Sequence, residues 1–353
     1  MKIVFNVSAM NSGGAERVVS LLSDELCKRG HEVSILMLST DTPYSFYSIN
    51  PRVALIPLLT SNKKRIRFFE RVKILKKFYK KNNPDVVIAF LPHVCIYTYF
   101  ALKKAKIPFI LSERNDPNQY SFIYKKLLRK AFDSANGCVF QTSDCLDWYR
   151  KGKRKINDRV IFNPINIPAA LIANVNLDRK KNVLFVSRFD KQKNYPLLLK
   201  SFQIFSLKHQ DFVLDVYGDG PEKHQFFELA KNLNVLHKIN YYGKRADWQF
   251  AEFNSSLFVS TSIYEGMPNS LAEAAALNIP CVATNCPIGG SKELHNAFDN
   301  ILLVENNCSE QTFSAKMEEA LHLSCSTKAI CKKVCLSYVA DEWEQILKEV
   351  ING

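Results

Sequence analysis

Glu265 and Glu273 stand on either side of a change in chain pattern, with seven residues between them. An apolar run at 257–259 stops at Ser260, and a loop follows that carries Glu265, Gly266 and Pro268. From Asn269 the apolar positions Leu271, Ala274, Ala275 and Leu277 recur with helical spacing, until Asn278 precedes Pro280. Residues 281–284 read as the next strand. A helix start just past the carboxyl end of a strand suits a phosphate, so backbone N–H groups at Asn269, Ser270 and Leu271 are candidate donors. Arg188 and Lys193, in a loop after the strand-like run 183–187, can add the positive charge a diphosphate needs. Glu273, about one turn into the helix, could accept from ribose hydroxyls. Glu265 could accept from hydroxyls on whatever the phosphate carries. The two glutamates could equally be an acid and base pair, or plain solvated helix residues. No Asp-x-Asp pair occurs anywhere in the chain. Cations beside a departing diphosphate stabilise its charge without a metal, so neither metal nor cofactor is expected.

The elements that must position these residues fill 353 residues, more than one core usually holds. The chain is 47% hydrophobic and 23% charged, as ordinary globular proteins are, and its ten cysteines are scattered without metal-ligand spacing. They read as reduced, cytoplasmic thiols. A strand at 2–7, a turn through Gly13 and Gly14, a helix at 15–29 and a strand at 31–38 open a doubly wound α/β domain. Two adjacent glycines do not make the dinucleotide fingerprint, which argues against NAD. Strands are expected at 86–90, 109–112, 137–141 and 160–162. The second ends in the polar loop Ser112-Glu113-Arg114-Asn115-Asp116-Pro117, placed where α/β domains hold ligands, though Asn-Asp-Pro is also good turn chemistry. The expected division is a first domain at 1–166, a proline-punctuated linker at 167–180, a second α/β domain at 181–335 and a final helix at 336–353 packing back on the first domain. In the second domain, strands at 183–187, 212–217 and 238–242 and a helix at 195–208 precede the 257–284 unit. Helical patterns from Ser309, Thr327 and Asp341 finish the chain.

The charge of +14 is concentrated in one half of the chain. Residues 1–165 hold 29 Lys and Arg against 13 Asp and Glu, and the remainder 19 against 21. The first half must therefore meet something acidic. Residues 63–81 carry ten basic residues and one acid, Glu70, with Ile66, Phe69, Val72, Leu75 and Phe78–Tyr79 at helical spacing. This is either a surface helix with a solvated basic face or one lying on anionic lipid, with Lys73, Lys76, Lys77 and Lys80 toward the membrane. Residues 124–132 repeat the chemistry in shorter form. No nucleic-acid motif accompanies the charge, so no nucleic acid is expected. The apolar stretch 86–102 is split by Pro92 and His93 and is too short to span a bilayer.

The motifs SGGAERV (12–18), SERNDP (112–117), SRFDKQKN (187–194), YGDGP (217–221) and EGMPNSLAEA (265–274) follow one another along the chain. In this order the sequence resembles the retaining, nucleotide-sugar-dependent glycosyltransferases of family 4, and among them bacterial enzymes that extend lipid-linked oligosaccharides, capsule or O-antigen. The resemblance implies the GT-B fold, two facing Rossmann-like domains with a cleft between them. It implies that Arg188 and Lys193 clamp the diphosphate, that Glu273 holds the ribose and that Glu265 lies near the donor sugar. It further implies that Gly13 and Gly14 let a loop approach the reacting centre and that the backbone at Gly243 and Lys244 meets the base. Several relatives have a histidine after the third N-terminal strand, where this chain has Glu113 and Arg114 as acceptor-side candidates. The activity implied is metal-independent transfer of a hexose or N-acetylhexosamine with retention, from a nucleotide diphosphate sugar, expected to be a UDP-sugar, to a lipid-linked glycan. The enzyme would be cytoplasmic and peripheral on the inner face of the membrane. The competing readings are an epimerase or phosphorylase on the same fold, and a non-catalytic lipid- or nucleic-acid-binding protein.

Overall fold

A computed structural model describes residues 1–58, 68–167, 171, 179–323 and 331–353. The chain forms two compact units, Met1–Pro164 with Lys333–Gly353, and Ile165–Lys332. The expected helical segment 63–67 and the pattern beginning at Thr327 lie at least partly outside the described residues, as does most of the expected linker.

The first unit runs β1 (Lys2–Val7), α1 (Gly14–Lys28), β2 (Glu32–Met37), β3 (Ala54–Pro57), α2 (Phe68–Asn82), β4 (Val86–Phe90), α3 (Pro92–Leu102), β5 (Phe109–Ser112), α4 (Phe122–Ser134), β6 (Gly137–Phe140), α5 (Ser143–Arg150) and β7 (Asp158–Val160). Among the described residues these strands form one sheet in the order β3-β2-β1-β4-β5-β6-β7, and each pairing is parallel. Helices on the faces of such a sheet explain why β4 is apolar and buried at every position. They also explain α3, which the sequence reading split from β4 at Pro92 and His93 but did not assign as a helix. It buries Val94, Cys95, Ile96, Thr98, Tyr99, Ala101 and Leu102, so its sequence shows no polar face. β7 spans Asp158–Val160, two residues earlier than the expected 160–162, in register with β6, which ends at Phe140.

A polar contact inside this core fixes α2 to the sheet. Asn6 donates to the Tyr79 hydroxyl at 2.5 Å and to the Thr98 hydroxyl at 2.8 Å, tying β1 to α2 and α3. The C-terminal helix α12 (Leu336–Asn352, numbered after the helices of the second unit) belongs to the same core through Val339, Trp343, Ile346, Leu347 and Val350. Those positions recur at helical spacing and face the core together. Arg29 donates to Asp341 at 2.6 Å and Glu344 at 3.2 Å, and His31 meets Glu344 at 2.6 Å, which sets the helix against α1.

The second unit runs β8 (Lys180–Val186), α6 (Tyr195–Lys208), β9 (Val213–Tyr217), α7 (Lys223–Asn232), β10 (Ile239–Gly243), α8 (Trp248–Glu252), β11 (Ser255–Ser260), α9 (Asn269–Ala276), β12 (Cys281–Asn285), α10 (Gly290–Ala297), β13 (Ile301–Glu305) and α11 (Glu310–Leu321). Its described strands are ordered β10-β9-β8-β11-β12-β13, again all parallel. Each unit is thus a Rossmann-like doubly wound domain. In each, the chain leaves a central strand toward one edge and later returns to that strand's other side. The switch points fall between β1 and β4 and between β8 and β11, where ligands of open α/β sheets bind beyond the strand ends.

Candidate active site

The loops after β8 and β11 meet at the second switch point. The first contains a short turn, Lys191–Lys193, closed by Asn194 in a left-handed conformation (φ 46°), after which Tyr195 and Pro196 begin α6. Asn tolerates this backbone better than most residues. The second loop is stitched to it. The Ile263 N–H donates to the Gln192 carbonyl at 2.7 Å, and the Thr261 hydroxyl donates to the Lys193 carbonyl at 2.8 Å.

Side chains then converge on Glu265. Lys193 forms an ion pair with Oε1 of its carboxylate, and the Ser262 hydroxyl donates to the same oxygen at 2.8 Å. Gln192 Nε2 lies 3.4 Å from Oε2 and donates to the Tyr264 carbonyl at 2.7 Å. Glu265 is only 8% exposed, so removing Lys193 would leave a largely buried charge without its counter-ion. Beneath the loop, Cys286 donates to the Ser262 carbonyl at 3.0 Å, and burial, with Glu265 nearby, pushes its thiol up to about 12. This cysteine is therefore a neutral packing group. Gly290 lets the start of α10 press against the loop, since a Cβ there would overlap the Gly266 carbonyl.

The other predicted donor-side residues occupy the same edge of the sheet in separate arrangements. Arg188 follows the end of β8, with its side chain 62% exposed and paired with Asp190. Gly218, with φ +143°, packs directly on Ser187, so the β9 loop braces the Arg188 loop from behind. α9 begins at Asn269 after Pro268, which has no side-chain acceptor to cap it. Asn269 and Ser270 are half-buried, whereas Leu271 is fully buried, so only its backbone N–H can serve a ligand. Asn278, at φ 61°, ends this helical segment as its sequence suggested. Glu273 is 3% exposed and accepts from Gln249 on α8 at 2.8 Å. Gly243 closes β10 with φ +69°, its carbonyl accepting from the Gly218 N–H at 2.8 Å, and Lys244 beside it is exposed.

In the first unit, Gly13 precedes α1 and its carbonyl accepts from the Tyr47 hydroxyl at 3.3 Å, with Gly14 opening the helix. Its φ of −85° is open to any residue. Glu113 and Arg114 follow β5 and turn inward. The Glu113 carboxylate accepts from Tyr149 at 2.5 Å, Tyr120 at 3.1 Å and the N–H groups of Arg114 and Asn115 at 3.0 and 3.1 Å. Burial raises its pKa, against the pull of those donors. Arg114 donates to Asn163 at 2.6 Å and lies over the Phe90 ring at 4.4 Å, and burial lowers its pKa to about 9. Lys73, Lys76, Lys77 and Lys80 are all exposed on α2.

Sequence reasoning did not single out Ser262, Gln192 or Gln249. The first two lie within three residues of Glu265 and next to Lys193, which is a faint signal, and the Gln249–Glu273 contact has none.

Comparison with known proteins bears on both halves. Residues 12–167 match the family model "Glycosyltransferase Family 4", and residues 170–333 match "Glycosyl transferases group 1". Over 368 aligned residues the chain is 26% identical to a Campylobacter jejuni protein, GalNAc-alpha-(1->4)-GalNAc-alpha-(1->3)-diNAcBac-PP-undecaprenol alpha-1,4-N-acetyl-D-galactosaminyltransferase, covering 100% of both. Among solved structures it resembles Anabaena Alr3699/HepE in complex with UDP, with a TM-score of 0.74 and 15% identity over 99% of this chain and 100% of that one. It also resembles the lipopolysaccharide outer core galactosyltransferase WaaB in its apo form, with a TM-score of 0.70 and 19% identity over 99% of each chain. With both halves matched in order and both units folded as Rossmann-like domains, the chain belongs to the family 4 glycosyltransferases of the GT-B fold.

Proposed function

We propose that the protein transfers a hexosyl or N-acetylhexosaminyl group, with retention, from a nucleotide diphosphate sugar to a lipid-linked glycan in bacterial surface-polysaccharide or glycan synthesis. The observation that carries this reading is the Lys193–Glu265 pair at the second switch point, with Ser262 and Gln192 around it. Lys193 and Arg188 supply charge for the diphosphate, α9 supplies N–H groups, and Glu273 accepts from the ribose. Glu265, already bound by a cation and a hydroxyl, is better placed to hold sugar hydroxyls than to attack the anomeric carbon. A retaining glycosidase instead uses a free carboxylate nucleophile opposite a second acid. In the proposed step the bond from the anomeric carbon to the phosphate oxygen breaks. The acceptor hydroxyl forms the new bond on the same face, and its proton passes to the departing phosphate. Two cations beside that phosphate make a metal unnecessary for the step. The likeness to a fold solved with UDP favours a UDP-sugar, and the Campylobacter relative's undecaprenol substrate favours a lipid-linked acceptor.

Among the described residues no helix is long and apolar enough to cross a membrane. The exposed lysines of α2 support a peripheral place on the inner, anionic face of the cell membrane, beside the acceptor. Glu113 and Arg114 then act as positioning groups that fix the loop on the acceptor side.

The test is a panel of nucleotide sugars incubated with an undecaprenyl-diphosphate glycan, with and without EDTA, scoring free nucleotide and the anomeric configuration of the product. Acceptor-dependent release of UDP, an α product from an α donor and indifference to EDTA are expected. Sugar conversion without acceptor, or dependence on inorganic phosphate, would replace this reading with an epimerase or phosphorylase.

A further inference from the structure

The five residues of α8 are too few to hold a helix by themselves, so side chains must fix it in place. Trp248, Gln249 and Glu252 lie on one face and are 3%, 4% and 1% exposed, while Phe250 is turned out at 56%. Trp248 packs on Phe258 of β11, with ring centroids 6.4 Å apart. Glu252 accepts from the Tyr217 hydroxyl of β9 at 2.8 Å, from Asn182 of β8 at 3.0 Å and from the Ser255 hydroxyl of β11 at 3.0 Å. The helix is therefore pinned at both ends to three neighbouring strands.

Gln249 is the residue on this face that neither packs as an apolar group nor bonds to the sheet. A buried amide is costly unless it is hydrogen-bonded, and an apolar residue would fill the position without that cost. Its Nε2 donates at 2.8 Å to Oε2 of Glu273, 24 residues further along the chain on α9. Glu273 is itself buried, about one turn past the N–H groups at Asn269, Ser270 and Leu271. The donor here is an uncharged amide, unlike the Lys193 ammonium that meets Glu265. An amide fixes the plane of a carboxylate and leaves its negative charge in place, so the carboxylate stays a strong acceptor for hydroxyl groups. A lysine or arginine at this position would neutralise that charge.

We propose that Gln249 is a positioning residue for nucleotide recognition. Carried on the pinned helix, it aims the Glu273 carboxylate at the two hydroxyls of a ribose and so makes the site prefer ribonucleotides to 2′-deoxyribonucleotides. This rests on the reading of Glu273 as the ribose acceptor and adds to it the residue that sets its aim. A carboxylate held at one oxygen and in one plane meets both hydroxyls in a fixed geometry. One that turns about its last torsion, which is broad and weakly restricted, loses that alignment and must give up rotamer freedom on binding. Gln249 meets neither the donor sugar nor the diphosphate in this scheme, so its loss acts on nucleotide affinity and leaves the chemical step alone. A purely structural contact between α8 and α9 would change stability and not the preference between the two nucleotides.

The test is titration calorimetry of the full chain with UDP and with 2′-deoxy-UDP, repeated for Gln249→Met, which keeps the length of the side chain without its amide. UDP affinity is expected to fall roughly tenfold, the scale of losing one hydrogen bond to a charged group, and the preference for UDP over 2′-deoxy-UDP should shrink with it. In turnover, KM for the donor should rise by a similar factor at nearly unchanged kcat. The preference is a ratio of two affinities of the folded protein, so it reads the role of the amide even where Tm falls. Phe250→Ser, on the exposed side of the same helix, should keep the parent's preference, and Glu273→Ala should abolish it. A Gln249→Met protein with the parent's preference would overturn the positioning role whatever its Tm. Equal loss of preference in Phe250→Ser would assign the effect to α8 as a whole and overturn the role of the amide. A parent protein that binds the two nucleotides alike, or a Glu273→Ala variant that still prefers UDP, would instead sink the ribose reading itself, and with it any aim for Gln249 to set.

Discussion

Glu113 and Glu265 each follow the carboxyl end of a strand, in two sheets of the same order, yet they are held by different kinds of partner. Glu113 is 1% exposed and bound by two phenols and two backbone N–H groups, all neutral. Glu265, 8% exposed, is bound by the Lys193 ammonium and the Ser262 hydroxyl on loops at a switch point. Neutral donors leave a buried carboxylate with a raised pKa and a structural task. A cation on a neighbouring loop instead gives Glu265 a charged partner, and in the proposed reaction that cation also faces the donor's diphosphate. The first unit shows the complement: Lys73, Lys76, Lys77 and Lys80 on α2 and Lys126 and Lys130 on α4 are carried outward, exposed to solvent. One topology thus serves two uses of charge.

The largest effect expected of this contrast is on the outward cations. Replacing Lys73, Lys76, Lys77 and Lys80 with Glu should weaken binding to anionic vesicles by roughly 10²–10³-fold, at about 1 kcal/mol for each basic residue near the surface. Sedimentation at low salt measures it, and unchanged binding would remove the membrane role of α2. Next is the inward cation. Lys193→Ala should lower kcat by roughly 10²-fold or more, the scale of losing one charge-stabilising donor. Near-normal turnover at saturating donor would sink the assignment of Lys193 to the leaving diphosphate. Ser262→Ala removes one hydrogen bond to a charged group and should lower kcat by roughly tenfold while the fold persists. A kcat equal to the parent's would mean that Lys193 alone orients Glu265.

The smallest effect separates the neutral site from the charged one. Because the folded pKa of Glu113 lies above its unfolded value, its contribution to stability is fully present below the ordinary carboxylate range. That contribution is lost as pH rises through the raised value. Glu113→Gln has no such proton to lose, so its Tm should fall less than the parent's across that window, by about 2–4 °C. Parallel Tm profiles for the two proteins would show that burial does not govern this carboxylate.

Much of the architecture was legible because local physics carried it. β4 and β5 are short apolar runs bounded by turn residues, and the structure places them at Val86–Phe90 and Phe109–Ser112. The loop-to-helix change at Asn269 and the stop at Asn278 reflect backbone preferences that need no distant partner. β3 was missed because it is a four-residue edge strand ending in Pro57, and β13, an edge strand that is only partly buried, was missed as well. α3 was missed because burial on all sides removes the polar face that announces a helix.

By itself, the sequence determined the two α/β series, the confinement of positive charge to the first half and the order of the motifs around Arg188, Lys193, Glu265 and Glu273, since composition, spacing and turn chemistry are local properties. Only the tertiary structure decided which of those residues touch. Lys193 and Glu265 are 72 residues apart and meet because β8 and β11 are neighbours in the sheet. Glu273 faces Gln249 and Glu113 faces Tyr149 for the same reason: strand order and helix packing, which depend on the whole chain, choose the partners.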